Sequence, residues 1–110
     1  MSSTRPGGRP RRRYVAFVVD ARGADPPSRE RFVSALDAAC AAEGLPPGRR
    51  LTSYTGRAGI ARCSHTETAA LVRALGSIVE ADGAPVAVST VTTSGTIKKA
   101  KDHLRAVQGQ

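Results

Sequence analysis

Near the start of the chain stands the stretch Tyr14-Val15-Ala16-Phe17-Val18-Val19, which consists of β-branched, aromatic and small apolar residues. The segment Asp20-Ala21-Arg22-Gly23 follows it with residues typical of a turn, and Pro26 and Pro27 interrupt regular structure further on. A run of this composition between turn signals predicts a strand at the centre of a sheet.

A helix is predicted over residues 28–43. Ser28 is a suitable N-cap, and Glu30 lies in the first turn, where an acid faces the positive end of the helix dipole. Gly44 and the segment Pro46-Pro47-Gly48 end the helix. One face of this helix is apolar, with residues at helical spacing: Phe32, Val33, Leu36, Ala39 and Cys40.

A hairpin and a second helix follow. Residues 51–55 and 60–63 are predicted strands around a turn that contains two glycines. Ser64 lies three residues before Glu67, which is the spacing of a capping box and predicts the start of a helix. The helix is expected to continue to Gly83, with an apolar face formed by Leu71, Val72, Leu75, Ile78 and Val79.

The last strand is expected to begin at Pro85 and to end at Thr93-Ser94-Gly95, with apolar positions at Val86, Val88 and Val91. A final helix is predicted from Thr96 to about Val107. The order of elements predicts an α+β fold, a ferredoxin-like or RNA-recognition-motif-like βαββαβ sandwich with an extra C-terminal helix. In such a fold two helices cover one face of a four-stranded antiparallel sheet. The helix-free face is expected to carry small apolar groups such as Ile60 with Ala16 and Val18, or their alternates one residue along, and an apolar patch there suits a protein partner.

Positive charge is concentrated at the start of the chain. The net charge is +8, and residues 1–13 hold five of the 17 basic residues and no acid. We therefore predict a disordered basic arm at residues 1–12, a single domain at 13–107 and a short tail at 108–110. A cationic arm suits phosphate backbones or anionic lipid surfaces. The apolar run at residues 15–19 is too short to span a bilayer, so a cytoplasmic protein without membrane attachment is expected.

The stretch Ser94-Gly95-Thr96-Ile97-Lys98-Lys99-Ala100-Lys101 carries the strongest functional pattern. A Ser-Gly-Thr turn that opens a helix leaves backbone N–H groups unpaired, and lysines in the first turns have the wrong sign for the helix dipole. A bound phosphate would compensate for both. Ile97, Ala100, Leu104 and Val107 share one face of the predicted helix, which docks on the body, and Lys98, Lys101 and Arg105 form an adjacent stripe that is left to face a partner. The alternative is a solvated basic face on an ordinary amphipathic helix.

Two further basic features are candidates for contact with RNA. The arginines of the arm can neutralise phosphates without reading sequence, although a solubilising tail has the same composition. Arg62 lies within a predicted strand on the same side as Ile60, and it either contacts RNA or extends to water. The predicted RNA-binding residues are Arg9, Arg11, Arg12, Arg13, Arg62, Ser94, Gly95, Thr96, Lys98, Lys99, Lys101 and Arg105.

Catalytic and metal-binding patterns are missing from the sequence. Cys40 and Cys63 lack metal-ligand spacing and are expected to be free buried thiols, with a disulfide as the alternative. His65 and His103 are expected at the surface, and no Ser-His-acid, paired-carboxylate or Walker pattern is present. The aromatic-rich motif that stacks bases is also missing from residues 59–64. We expect no catalytic residue, metal site or cofactor in this chain.

Three stretches together resemble the archaeal ribonuclease P protein component 2 family, whose eukaryotic relatives are Pop-type subunits of the same enzyme. The first is the basic lead into the first strand, Pro10-Arg11-Arg12-Arg13-Tyr14-Val15-Ala16-Phe17. The second is the glycine–aliphatic–Arg–Cys strand at Gly59-Ile60-Ala61-Arg62-Cys63, and the third is Ser94-Gly95-Thr96-Ile97-Lys98-Lys99-Ala100. Their order and spacing agree with the family from about Arg11 to Leu104.

This resemblance implies a non-catalytic subunit of a ribonucleoprotein endoribonuclease that removes 5′ leaders from precursor tRNA. The implied partners are the ribonuclease P RNA, precursor tRNA, ribonuclease P protein component 3 and a second copy of the chain within a heterotetramer. The magnesium ions of the reaction would be held by the RNA. In the family the Ser-Gly-Thr-Ile-Lys-Lys signature corresponds to Ser94 through Lys99 here.

Two alternatives belong to other functional classes. One is a ferredoxin-like protein-interaction or regulatory module that does not bind RNA and uses its sheet to bind a partner. The other is a small enzyme on the same fold, such as an acylphosphatase, which needs an asparagine that the sequence does not contain.

Overall fold

Strand β1 (Arg12–Asp20) lies inside a four-stranded antiparallel sheet in the computed structural model, which describes residues 12–22, 25–46, 50–81 and 83–108. The other strands of this sheet are β2 (Leu51–Tyr54), β3 (Ala58–Ser64) and β6 (Ala87–Ser94), and the order across the sheet is β2-β3-β1-β6. The predicted α+β fold with a central first strand is confirmed. None of the described helices is both long and apolar enough to cross a membrane.

Helix α1 (Arg29–Ala42) agrees with its prediction to within one residue at each end. The side chain of Ser28 accepts a hydrogen bond from the Arg31 N–H at 3.3 Å, as expected for an N-cap. Phe32, Leu36 and Cys40 are the buried residues of α1. Their spacing of four places them on one side of the helix, against the sheet.

Helix α2 (Thr68–Ser77) begins as predicted, after one turn of 3₁₀ helix at His65–Glu67. The Ser64 N–H donates to the Glu67 carboxylate at 3.2 Å, which is one half of the expected capping box. The predicted extension to Gly83 is wrong, because the chain is already extended at Ile78. Glycine and serine at the last two helical positions favour an early end, since both are poor helix formers.

Two antiparallel strands of two residues each replace the last turns of the predicted helix. They are β4 (Glu80–Ala81) and β5 (Ala84–Pro85), and the chain turns at Gly83, whose φ of +80° suits glycine. Ile78 is buried by this change of direction, whereas Val79, predicted on the same apolar face, is 70% exposed. The strand predicted from Pro85 therefore enters the main sheet only at Ala87.

The first core cluster lies between the sheet and helices α1 and α2. Phe17 of β1 stacks on Phe32 of α1, with ring centroids 5.3 Å apart, and Phe32 stacks in turn on Tyr54 at 5.0 Å. Leu71 and Leu75 complete the centre of the cluster, and both are fully buried. Two helices on one face of the sheet are thus confirmed.

Helix α3 (Ile97–Gln108) covers the opposite face of the sheet. Ala100 and Leu104 pack there against Ala16, Ala58 and Ile60, all of them buried. The prediction that this face carries no helix is therefore wrong. Because Ala16 and Ala58 have small side chains, α3 lies close to the sheet and buries this face. Val107, predicted on the docking side of α3, is 48% exposed.

The alternation of side chains along β6 divides its apolar residues between the two clusters, and a bulge lies at Val91. Ala16 pairs with Thr92 and Phe17 with Thr90, so Val91 is an extra residue on the β6 side. Val88 packs into the first cluster, and Val91 packs against the second. The predicted apolar positions are correct, but they do not share one face.

Cys40 and Cys63 are both free and buried, as predicted. Burial is the main cause that raises the pKa of each thiol above its ordinary value. The two thiols belong to the first core cluster, where they act as small apolar groups.

Candidate nucleic-acid interface

Antiparallel pairing brings several of the predicted site residues to one end of the sheet. Tyr14 of β1 pairs with Arg62 of β3 on one side and with Ser94 of β6 on the other, and Arg12 pairs with Ser64. The start of β1 therefore meets the ends of β3 and β6, where α3 also begins. We call this region the basic end and define it by Arg12, Arg13, Tyr14, Arg62 and residues 94–99.

The turn before α3 is held by its own hydroxyl groups. Ser94, only 9% exposed, accepts a hydrogen bond on Oγ from the Thr96 N–H at 3.2 Å, and Thr96 Oγ1 accepts one from the Lys99 N–H at 3.2 Å. The N–H groups of Ile97 and Lys98 have no acceptor in the described part of the chain. They remain available to an anion at the positive end of the helix.

Arg13 lies beside this turn. A side-chain carbon at Gly95 would be 3.6 Å from Arg13 Nη1, so the guanidinium group reaches the start of α3 across the glycine. The same nitrogen donates to the carbonyl of Arg12 at 3.2 Å. The remaining guanidinium N–H groups can bind a second acceptor, and phosphate matches that geometry.

Arg62 is half-buried and, within the described ranges, forms no ion pair with a carboxylate. Its register position beside Tyr14 places it on the face that α3 covers further along the sheet. Because no described carboxylate neutralises it, the charge of Arg62 is available to an anionic ligand.

Lys98, Lys99 and Lys101 are exposed, because Ile97, Ala100 and Leu104 turn toward the sheet and occupy the buried side of α3. Lys98 and Lys99 belong to the first turn and therefore to the basic end. Arg105 lies two turns further on, where its guanidinium group is 3.6 Å from the carboxylate of Asp102. The structure thus separates Arg105 from the other predicted site residues of α3.

The carboxylate that follows β3 is neutralised locally. Glu67 accepts a hydrogen bond from the Ser64 N–H, and its carboxylate lies 3.3 Å from Arg50 Nη1. The Ser64 hydrogen bond is the main cause that lowers the pKa of Glu67, and Arg50 lowers it further. Because this charge is already paired, it weakens the positive potential of the basic end less than a free carboxylate would.

Arg9 and Arg11, with the rest of the predicted arm before Arg12, lie outside the described residues. Arg12 itself opens β1. Tyr14 was not among the predicted RNA-binding residues, although its pairing with Arg62 places the two side chains on the same face of the sheet. Among the described residues, no group of three or more His, Cys, Asp or Glu side chains could hold a metal ion.

Comparison with known proteins identifies similar sequences over nearly the whole chain. The model of the Rpp14/Pop5 family matches residues 47–105. Ribonuclease P protein component 2 of Archaeoglobus fulgidus is 32% identical over 107 residues, which cover 92% of this chain and 94% of that protein. Ribonuclease P protein component 2 of Aeropyrum pernix is 38% identical over 108 residues, covering 91% and 87% respectively.

A solved structure shares the fold. One chain of the cryo-EM structure of yeast ribonuclease MRP superposes on this protein with a TM-score of 0.62. The superposition covers 93% of this chain and 92% of the yeast chain. The two sequences are only 13% identical. This similarity therefore concerns the fold alone.

Proposed function

Because the chain belongs to the Rpp14/Pop5 family of ribonuclease P proteins, we propose that it is a protein subunit of ribonuclease P, a ribonucleoprotein endoribonuclease. It assists the catalytic RNA in removing 5′ leaders from precursor tRNA. The observation that carries this proposal is the identity of 32% and 38% with two proteins named ribonuclease P protein component 2, over more than nine-tenths of this chain.

The basic end supports a role in binding RNA. It combines the guanidinium groups of Arg12, Arg13 and Arg62 with the start of α3 and its two lysines. Such a group of charges lowers the electrostatic repulsion between phosphates that a compact RNA brings together. Contacts of this kind position the RNA without reading its sequence.

We assign the chemistry of hydrolysis to the RNA rather than to this chain. The magnesium ions would be held by the RNA, and the protein would bind no cofactor of its own. Component 3, precursor tRNA and a second copy of the chain are the further partners that the family membership suggests. We also propose that the protein is located in the cytoplasm.

The alternative of a protein-interaction module depended on an open apolar face of the sheet. In the structure α3 buries Ala16 and Ile60 of that face, so the surface that this alternative required is covered. RNA binding at the basic end does not depend on that face and is the better supported function.

Reconstitution tests the proposal. The full chain, with and without component 3, is added to the catalytic RNA, and cleavage of precursor tRNA is followed at low magnesium. We expect the chain to increase the cleavage rate and the triple variant Lys98→Ala, Lys99→Ala, Lys101→Ala to reduce that increase. Arg57→Ala is the matched control, because Arg57 is exposed in the turn at the opposite end of β3. An unchanged rate in both mixtures would contradict the proposal.

A further inference from the structure

Tyr14 has an unusual position for an aromatic residue in a central strand. Ala16, the next residue on the same face, is fully buried under α3, whereas Tyr14 keeps part of its surface accessible. α3 begins only after Ser94, the register partner of Tyr14, so the helix covers the sheet beyond this point and leaves its end uncovered. The ring of Tyr14 consequently lies at the border of the second core cluster.

The hydroxyl group of Tyr14 distinguishes it from the other tyrosine. Tyr54 donates its O–H to the Pro27 carbonyl and stacks on Phe32, as a structural tyrosine does. In the described part of the chain, the Tyr14 hydroxyl has no hydrogen-bond partner and its ring stacks on no other ring. Among the described residues, Tyr14 therefore makes neither the hydroxyl hydrogen bond nor the ring stacking that Tyr54 makes.

Three basic residues lie at the same end of the sheet as Tyr14. Arg62 is its register partner on β3, Arg12 lies two residues earlier on the same face, and Lys98 lies in the first turn of α3. Among the described residues, none of these three cations forms an ion pair with a carboxylate. An aromatic ring beside guanidinium groups complements a nucleotide, since the ring meets the base and the cations meet the phosphate.

We propose that Tyr14 and Arg62 form a binding site for one unpaired nucleotide of RNA, with the base against the tyrosine ring and the adjoining phosphate against the guanidinium group. This inference rests on the proposed function and specifies the RNA at the basic end as single-stranded. In a duplex the faces of the bases are stacked on one another, so only an unpaired base offers its face to a protein ring.

Intrinsic fluorescence gives a direct test, because the chain has two tyrosines and no tryptophan. In Tyr54→Phe, which keeps the stacked ring at position 54, Tyr14 is the only strong emitter. We expect a single-stranded oligouridylate of about ten nucleotides to quench this emission on binding. An abasic oligomer with the same number of phosphates should bind without quenching. Equal quenching by the abasic oligomer, or binding of the oligouridylate without quenching, would overturn the proposal.

Affinity measurements provide a second test in the full chain. Tyr14→Leu should weaken binding of the oligouridylate by about 5- to 100-fold, because stacking on the ring is lost, and Tyr14→Phe should bind nearly as wild type. Binding of an RNA duplex of equal length should change little in either variant. Urea unfolding shows whether Tyr14→Leu is folded; if it is not, the fluorescence of Tyr54→Phe decides.

The failure of this inference can be distinguished from the failure of the proposed function. If Arg62→Gln and the α3 lysine variants weaken RNA binding while Tyr14→Leu does not, the chain binds RNA but has no nucleotide site at Tyr14. If the wild-type chain binds neither the single strand nor the duplex, the proposed function fails together with the site.

Discussion

Gly59 of β3 has no room for a side-chain carbon. A Cβ atom at this position would lie 2.6 Å from Phe17 Cζ and 2.8 Å from the Ser53 carbonyl oxygen. Phe17 is fully buried in the first core cluster and cannot move aside without disturbing its stack on Phe32. The glycine of β3 therefore allows the sheet and the aromatic stack to form together.

Gly59→Ala should lower the free energy of unfolding by about 1 to 3 kcal/mol, because the added methyl group overpacks the core. The control is Gly76→Ala in α2, where a Cβ atom meets nothing within 4 Å. That substitution should be stabilising by about 0.5 to 1 kcal/mol, since alanine is the better helix former. Urea unfolding measures both, and equal stability of the two variants would contradict the packing argument.

The free energy of unfolding depends in part on the ionisation of Glu67 and therefore on pH. Its pKa is lowered from the ordinary 4.5, mainly by the hydrogen bond from the Ser64 N–H. A carboxylate whose pKa is lower in the folded state stabilises the fold above its unfolded pKa, and this stabilisation is lost as the pH falls through the folded pKa. The relevant range therefore lies below about pH 4.5.

Glu67→Gln should lower the free energy of unfolding at pH 7 by about 1 kcal/mol, because the charge-assisted half of the capping box is weakened. Below the folded pKa of Glu67, variant and wild type should approach one another. Urea unfolding as a function of pH checks this, with Asp37→Asn, an exposed position on α1, as the control. A difference that stays constant down to the lowest pH would show that ionisation of Glu67 is not its cause.

At the scale of elements, α3 gives the molecule a third layer. Without it, the face formed by Ala16, Ala58 and Ile60 would be open to water. The same helix presents its first turn, with Lys98 and Lys99, at the basic end. One element thus completes the second core cluster and supplies part of the candidate site.

Leu104→Ala should lower the free energy of unfolding by about 2 to 4 kcal/mol, since Leu104 is only 7% exposed on the docking side of α3. Val107→Ala, one turn later and 48% exposed, is the matched control and should cost less than about 0.5 kcal/mol. Denaturant unfolding followed by circular dichroism measures both. A small effect of Leu104→Ala would mean that α3 does not contribute to the cooperative core.

At the scale of the whole molecule, charge is distributed unevenly. Residues 1–13 hold five arginines, and β1 carries the last two of them into the sheet beside the start of α3. The arm and the basic end are therefore adjacent along the chain. A polyanion that binds one of them meets the other as well, which favours a large salt dependence.

RNA affinity should fall with salt, with a slope of log K against log salt of roughly −3.5 to −6 if about five to seven cations contact phosphates. Deletion of residues 1–11, which spares β1, should flatten the slope. The triple variant Lys98→Ala, Lys99→Ala, Lys101→Ala should reduce it by about 2 to 3, and Arg57→Ala should leave it unchanged. A slope that responds to neither the deletion nor the triple variant would remove these cations from the interface.

Local patterns were sufficient for most elements of this protein. Hydrophobic spacing, the Ser28 cap and the pairing of Ser64 with Glu67 are short-range features, so the sequence by itself determined β1, α1 and the start of α2. The sequence also predicted that the two buried thiols are free and that a helix begins just after the Ser-Gly-Thr turn.

Only the tertiary structure decided which surfaces are covered and which residues meet. Hydrophobic periodicity shows that α3 has an apolar side but not which partner buries it, so the covered second face was not predictable. The early end of α2 and the bulge at Val91 depend on packing between distant segments. The grouping of Arg12, Tyr14, Arg62 and Ser94 likewise follows from strand register, a long-range property that side-chain pairing across the sheet sets.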